Sequence, residues 1–259
     1  MHFALSEEQQ MIVETTRRFV EQELYPHEAE VERTGHLRRE IIDEVQAKAM
    51  ATGLYAANIP EEFGGAGLDT VTWLLYEREL GRANYALHWT CVARPSNILC
   101  AGTPEQREKY LKPCVEGKTW DCLAMTEPGA GSDVQSIRTS AVKDGDDWIL
   151  NGSKIFITNG MLADLVIVAA ITDPGKGAKG TSLFIVDASL PGFSRGKKIE
   201  KMGQHTSDTA ELFFQDVRLP ASALLGELNK GFVIMMTELP RERLGIAAQA
   251  VASAEGALD

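Results

Sequence analysis

The stretch Met125-Thr126-Glu127-Pro128-Gly129-Ala130-Gly131-Ser132-Asp133, close to the middle of the chain, has the residue types to grip an anionic or heteroaromatic ligand. Its second half is turn chemistry: a Pro, two Gly, a Ser and an Asp. The apolar run Cys122-Leu123-Ala124-Met125 leading into it reads as a short buried strand. A strand ending in a small-residue turn offers N–H groups and hydroxyls to a phosphate or to the polar edge of a ring. It is not a Walker loop, because no Gly-Lys-Ser/Thr follows. Nor is it a dinucleotide fingerprint, because Gly129 and Gly131 lack a third glycine and no helix pattern comes next. Taken alone, it is equally a hairpin or loop. Glu127 and Asp133 could pass for a paired carboxylate site. Farther along, Arg241-Glu242-Arg243 falls in a helical pattern, where such a triplet is ordinarily a solvated charged face. The histidines show no metal-ligand spacing, so no metal site is expected.

Periodicity gives the elements that must carry these residues. Ser6 with Gln9 makes a capping box, and Met11, Ile12, Thr16, Phe19, Val20 and Leu24 recur at helical spacing until Pro26. A second helix carries Leu37, Ile41, Ile42, Val45 and Ala49 and stops at Gly53. After a loop from Ile59 to Gly67, Asp69 caps a third helix ending at Gly81, and a fourth spans Tyr85 to Ala101. Thr103-Pro104-Glu105-Gln106 opens another that ends near Pro113. From Trp120 the period changes. Val134 to Val142 is β-tolerant. Trp148-Ile149-Leu150 leads into Asn151-Gly152, a hairpin turn signal, with Lys154 to Thr158 as the return strand. Leu165 to Thr172, Leu183 to Val186, Phe193 to Met202 and Ala210 to Val217 bring the total to about seven short strands. Asp173 to Gly180 reads as a flexible basic loop. At Asn229-Lys230-Gly231 the helical period returns and runs from Phe232 to Leu258, with Pro240 expected to kink or restart it. The pattern meets no stop signal, so an incomplete final domain is expected.

With 259 residues, 44% hydrophobic and 24% charged, the chain has the make-up of a soluble globular protein of one large or two ordinary domains. The net charge of −11, from 26 basic and 37 acidic residues, argues against nucleic acid as the main partner, while leaving basic spots for an anionic ligand. Cys91, Cys100, Cys114 and Cys122 form no C-x-x-C pair and read as reduced packing residues of an intracellular protein. The start, Met1 to Glu8, lacks the pattern of a signal peptide, and no apolar run reaches the roughly 18 residues of a membrane span.

Met125 to Asp133, then Asn151-Gly152-Ser153-Lys154-Ile155-Phe156-Ile157-Thr158-Asn159-Gly160, then Lys201-Met202-Gly203 and Ser207-Asp208-Thr209 closely resemble the acyl-CoA dehydrogenase family. The likeness covers essentially the whole chain. It implies an α+β fold in three parts: an N-terminal all-helical domain (1–119), a middle antiparallel β-barrel or sandwich domain (120–228), and the first helix of a C-terminal helical bundle (229–259). The likeness also implies that most of that bundle is lacking. It also implies FAD as cofactor. Leu123, Ala124, Met125, Thr126, Gly131 and Ser132 would line the flavin, with the Thr126 hydroxyl on its pyrimidine end. Ser132 would lie near the pyrophosphate or the substrate's pantetheine. Phe156 takes the place where many members carry a Trp against the flavin, Ile157 follows it, and Thr158 would bond near N5.

Glu238-Leu239-Pro240-Arg241-Glu242-Arg243-Leu244 and Leu219 to Gly226 resemble the long-chain type. That likeness implies Glu242 as the catalytic base, aimed by Pro240, and Arg243 against the CoA moiety. Ser132, Ala178, Lys179, Val233, Pro240 and Arg241 join Arg243 in the implied substrate site, and Arg195, Lys197 and Lys198 are further candidates for the CoA phosphates. Val233 stands where the long-chain type tends to have an aromatic. The implied activity is α,β-dehydrogenation of an acyl-CoA, in fatty-acid or branched-acyl breakdown, with electron-transfer flavoprotein as acceptor. A dimer or tetramer is implied if the full bundle is present. The implied location is bacterial cytoplasm or mitochondrial matrix. The alternatives are a flavin oxidase or monooxygenase on the same fold, and a truncated, non-catalytic subunit that binds acyl-CoA or a partner.

Overall fold

Caps fix the helix starts in the computed structural model, which describes residues 4–92 and 95–258. Ser6 and Gln9 exchange their capping-box bonds at the head of α1 (Glu7–Phe19). A π turn, Val20–Leu24, passes directly into α2 (Tyr25–Thr34), so helix continues eight residues past the expected stop at Pro26. The reason is local. The wide turn places Pro26 in the first turn of a new helical segment, where a missing N–H breaks no ladder bond. α3 (Arg39–Ala51) follows, then α4 (Thr70–Leu80), where Asp69 accepts from the N–H groups of Val71 and Thr72. α5 covers only Tyr85–Cys91, with a separate 3-10 turn at Asn97–Ala101. The expected single helix from Tyr85 to Ala101 is therefore wrong. Val92 already leaves helical geometry, and Pro95 has no N–H to offer a ladder. Ala93 and Arg94, inside that expectation, lie outside the described residues. α6 (Pro104–Gln106), a π turn at Arg107–Leu111 and α7 (Lys112–Val115) carry the Thr103-capped stretch just past Pro113.

Eight strands follow: β1 (Asp121–Ala124), β2 (Ser140–Asp144), β3 (Asp147–Thr158), β4 (Leu165–Ile171), β5 (Thr181–Asp187), β6 (Phe193–Lys198), β7 (Thr209–Leu219) and β8 (Leu224–Leu225). They form one sheet in the order β6-β7-β3-β2-β4-β5-β8, with β1 parallel to β4 off the main path. β2 also meets β4 in parallel, so the sheet is mixed where an antiparallel one was expected. The β2–β3 hairpin turns at Gly145-Asp146, where Gly145 has φ 63°, and Asp144 pairs with Asp147. Asn151-Gly152, expected to be that turn, lies inside β3 at an irregularity in its pairing with β7. Gly152 is needed there for room: a Cβ would stand 2.4 Å from Thr139 Oγ1. The stretch before β2 is a 3-10 turn at Val134–Ser136 and an irregular link, with strand only from Ser140. Pro174–Gly180 is likewise a 3-10 element, capped by Asp173, which also pairs with Lys176. α8 (Gly231–Gly256) runs unbroken through Pro240. No helix among the described residues is long and apolar enough to cross a membrane.

Two compact units result. One holds residues 4–92, Met202–Thr206 and 239–258; the other holds Pro95–Lys201 and Ser207–Glu238. In the helical unit, Arg17 makes a bidentate pair with the buried Glu79, both bonds 2.9 Å. The later turns of α8 join this unit through Gln249, which donates to Glu77, and Ser253, which donates to the Gly81 carbonyl at 2.7 Å. In the sheet unit, alternate residues of β3, β4, β5 and β7, among them Leu150, Val166, Val168, Phe184, Leu212 and Phe214, close one apolar core.

Asp121 heads β1 buried, accepting from Ser96 N–H at 3.2 Å. Burial pushes its carboxyl up to about 7. Between the ordinary aspartate range and about pH 7, the folded chain thus keeps a proton that the unfolded chain has lost. Its contribution to stability falls as pH rises through that window. Asp121→Asn is expected to remove this slope. Urea titrations from pH 4 to 8 should then show the variant gaining on the original chain as pH rises.

Candidate functional site

β1 delivers the chain to a turn that is bonded at every corner. Ala124, its last residue, is buried, and Met125 and Thr126 emerge half-exposed. Glu127 N–H donates to Ala130 O at 3.1 Å and Ala130 N–H donates back to Glu127 O at 3.0 Å, closing a loop over Pro128-Gly129. The Glu127 carboxylate turns inward. Oε2 accepts from Arg138 N–H at 2.6 Å, and Oε1 accepts from Thr139 N–H at 2.9 Å. Oε1 also takes a bond of 2.8 Å from Lys154 Nζ, which in turn donates to Met125 O at 3.0 Å. The side chains of Lys154 and Glu127 are 0% and 7% exposed. Burial pushes the Lys154 ammonium down to about 8, against the pull of Glu127. Burial also works to raise the Glu127 carboxyl, but Lys154 and the N–H donors outweigh it and hold it below its ordinary value.

β3 supplies the facing segment. Ile155 N–H donates to Thr126 O at 2.9 Å, so strand and turn are joined directly. Between Lys154 and Ile157 the pairing with β7 shifts, and Phe156 sits at φ 59°. This bulge changes the phase of the strand. Lys154 and Ile157 both face inward, while Phe156 between them is 61% exposed. An aromatic ring in left-handed backbone on an open surface is a strained and uncommon arrangement. After Thr158, Asn159 is also left-handed, and its N–H donates to Asp208 O. Asp208 Oδ2 accepts from the N–H groups of Met161 and Leu162 at 2.8 and 3.1 Å, which closes the turn beyond the strand.

In the sheet unit Leu123, Met125, Thr126, Gly131 and Ser132 lie on β1 and its bonded turn, and Phe156 and Thr158 on the strand joined to that turn at Ile155, all at least partly exposed. The side chains of Ala124 and Ile157 belong to the core beneath it. A Cβ on Gly129 or Gly131 would meet nothing within 4 Å, so the space beside the turn is open. Ala178 and Lys179 lie in the 3-10 element after β4, which touches the Val134–Ser136 turn. Val233 stands exposed on the first turns of α8. Arg195 is already engaged: its guanidinium donates to Gly160 O at 2.9 Å and Ala163 O at 2.6 Å.

Pro240, Arg241, Glu242 and Arg243 belong to the helical unit. Glu242 and Arg243 are exposed. Arg241 is held within that unit. It donates to Asn58 O at 3.4 Å and Leu68 O at 3.2 Å, and its guanidinium lies 4.6 Å from the centre of the Trp73 ring. Gly245, one turn on, backs onto the same ring, where a Cβ would come within 2.6 Å. Sequence reasoning passed over Lys154 and Asp208 as site-builders. A lone lysine directly before Ile155-Phe156-Ile157 was the available signal for the first.

Residues 6–118 match the family model for the acyl-CoA dehydrogenase N-terminal domain, and 122–217 match that for the middle domain. The chain is 47% identical over 257 residues to the mitochondrial long-chain specific acyl-CoA dehydrogenase of Mus musculus, covering 96% of this chain and 58% of the mouse protein. It is 42% identical over 268 residues to the short-chain specific acyl-CoA dehydrogenase of Megasphaera elsdenii, covering 100% and 68%. Among solved structures, a glutaryl-CoA dehydrogenase from Mycobacterium smegmatis in complex with FADH2 matches with a TM-score of 0.85 and 31% identity, over 98% of this chain and 64% of that one. The chain thus spans little more than half the length of the mouse relative.

The left-handed backbone at Phe156 makes a specific demand on substitutions. In a regular strand, Val is a better guest than Leu. At φ 59° a β-branched side chain clashes with its own backbone. Phe156→Val is expected to be less stable than Phe156→Leu by about 1 kcal/mol. Chemical denaturation of the two variants side by side checks the order.

Proposed function

The chain belongs to the acyl-CoA dehydrogenase family, and from that premise we propose that it carries out FAD-dependent α,β-dehydrogenation of an acyl-CoA thioester. The exposed ring of Phe156, held in strained backbone beside the Thr126 turn, is the observation that carries this reading. A flavin needs a flat apolar wall, hydroxyl and N–H donors at its polar edge, and space for its phosphates. Phe156 fits the first need, Thr126 and Thr158 the second, and the open side of Gly129, Gly131 and Ser132 the third. Leu123 and Met125 extend the apolar wall, while Ala124 and Ile157 back it from the core. When bound, the flavin supplies the acceptor for the hydride that leaves the substrate's β-carbon.

The chain's own part is to orient the thioester and remove the α-proton. Glu242 is the base, and its carboxylate takes the proton from the α-carbon. Arg241, bonded to Asn58 O and Leu68 O over Trp73, holds the helix turn that bears Glu242. Arg243, Lys179 and Ala178 bind along the CoA moiety, Ser132 meets its pantetheine, and Val233 and Pro240 border the acyl chain. The division into a helical domain (1–119), a β-domain (120–228) and the start of a helical bundle (229–259) belongs to this reading. So do electron-transfer flavoprotein as acceptor, assembly into a dimer or tetramer where the full bundle is present, and a place in fatty-acid or branched-acyl breakdown, in bacterial cytoplasm or mitochondrial matrix.

Anaerobic addition of long- and branched-chain acyl-CoAs to the flavin-loaded protein is expected to bleach the flavin absorbance. Glu242→Gln is expected to slow bleaching by roughly 10²–10⁴-fold, the contribution of a positioned general base, with FAD still bound. No bleaching with any acyl-CoA would count against the proposal. Bleaching at full rate in the variant would move the base elsewhere. Rapid reoxidation by oxygen would instead indicate an oxidase.

A further inference from the structure

A buried ion pair below the turn is unused by the chemistry proposed above. Lys154 and Glu127 are buried away from solvent, with side chains 0% and 7% exposed. As a source of stability, such a pair is a poor choice. Desolvation of two charges offsets most of their attraction, and apolar residues of similar volume commonly do as well or better. What the pair supplies is connection. Through Nζ, Lys154 of β3 reaches both Met125 O and Glu127 Oε1. Through its two oxygens, Glu127 reaches the N–H groups of Arg138 and Thr139. Three separate chain segments thus meet at one carboxylate: the turn, the link into β2, and the strand that bulges at Phe156.

That meeting point lies beside the bulge. The register shift between β3 and β7 begins at Lys154 and ends at Ile157. A strand that slips by one residue exchanges its inner and outer faces. Here a slip would bury Phe156 and expose Ile157. An ammonium group held by two acceptors on the turn opposes that slip, because moving Lys154 outward would leave the buried Glu127 carboxylate without its counter-charge.

We propose that Glu127 and Lys154 are positioning residues for the flavin: their buried pair locks the Met125–Ser132 turn to the Phe156 bulge, which keeps the aromatic wall and the open side of the turn in fixed relation. The inference rests on the flavin reading above and assigns the pair no contact with the cofactor.

The test uses the full 259-residue chain and the double variant Glu127→Gln/Lys154→Met, which removes both charges and leaves one amide oxygen to accept from either the Arg138 or the Thr139 N–H. Amide hydrogen exchange is expected to speed up at least tenfold at Glu127, Ala130 and Ile155, while β4 and β5 exchange as before. The FAD dissociation constant, read by quenching of flavin fluorescence, is expected to rise about tenfold, and the visible spectrum of the bound flavin to shift, with the thermal midpoint nearly unchanged. Unaltered exchange at those three amides, or unaltered FAD affinity and spectrum, would overturn the proposal. If the unsubstituted chain binds no FAD, the flavin reading and the flavin role of the pair fail together, and the exchange result still decides whether the pair is a lock. If the double variant does not fold, Glu127→Gln alone must give changes in the same direction, and their absence overturns the proposal equally.

Discussion

One additional residue in β3 governs how the sheet unit meets its surroundings. Strand side chains alternate with a period of two, so Lys154, Phe156 and Thr158 would otherwise share a face. The bulge breaks that parity: Lys154 and Ile157 go in, and Phe156 comes out. Left-handed backbone at an aromatic residue costs about 1–2 kcal/mol. The burial of Ile157 and the bond from Ile155 N–H to Thr126 O offset it on either side. Without the bulge, the surface beside the Thr126 turn would be that of an ordinary sheet.

Much of the layout was legible because its signals are local. Ser6 with Gln9, Asp69, and Thr103 with Gln106 each cap the helix that their side-chain chemistry announces. The short strand before the turn and the return of helical period at Gly231 were equally plain. What escaped depended on contacts and turn geometry that composition does not announce. Asn151-Gly152 has the composition of a turn, yet the close passage of Thr139 demands glycine for space, and Gly145 makes the turn. Pro26 has the composition of a helix stop, yet a π turn re-sets the ladder before it. The candidate site was legible only as a set of motifs. Neither the burial of Lys154 nor the left-handed φ of Phe156 can be read from a strand pattern, because both come from the pairing of β3 with β7 and with the turn.

The helical unit shows how a charged triplet can be fixed through its half-buried first member while the other two meet solvent. Arg241 packs its guanidinium on Trp73 and donates to two carbonyls, while Gly245 lets the helix backbone come against the same ring. A contact of this kind contributes about 0.5–2 kcal/mol. Glu242 stands between these two anchors, one residue after the first and three before the second. Its helical turn therefore has little freedom within the unit, although the side chain itself meets solvent.

Asn151 and Gly152 bear on how the molecule ages. In a free chain an Asn-Gly step cyclises readily: the glycine nitrogen attacks the side-chain amide carbon, ammonia leaves, and water then opens the cyclic imide to aspartate or isoaspartate. Here the Asn151 amide is clamped on both ends. Its Nδ2 donates to Asp216 Oδ1 at 2.9 Å, and its Oδ1 accepts from Asp216 N–H at 2.8 Å. The native sheet thereby protects a chemically fragile dipeptide, and slow loss of ammonia at this step becomes a clock for time spent with β3 and β7 apart.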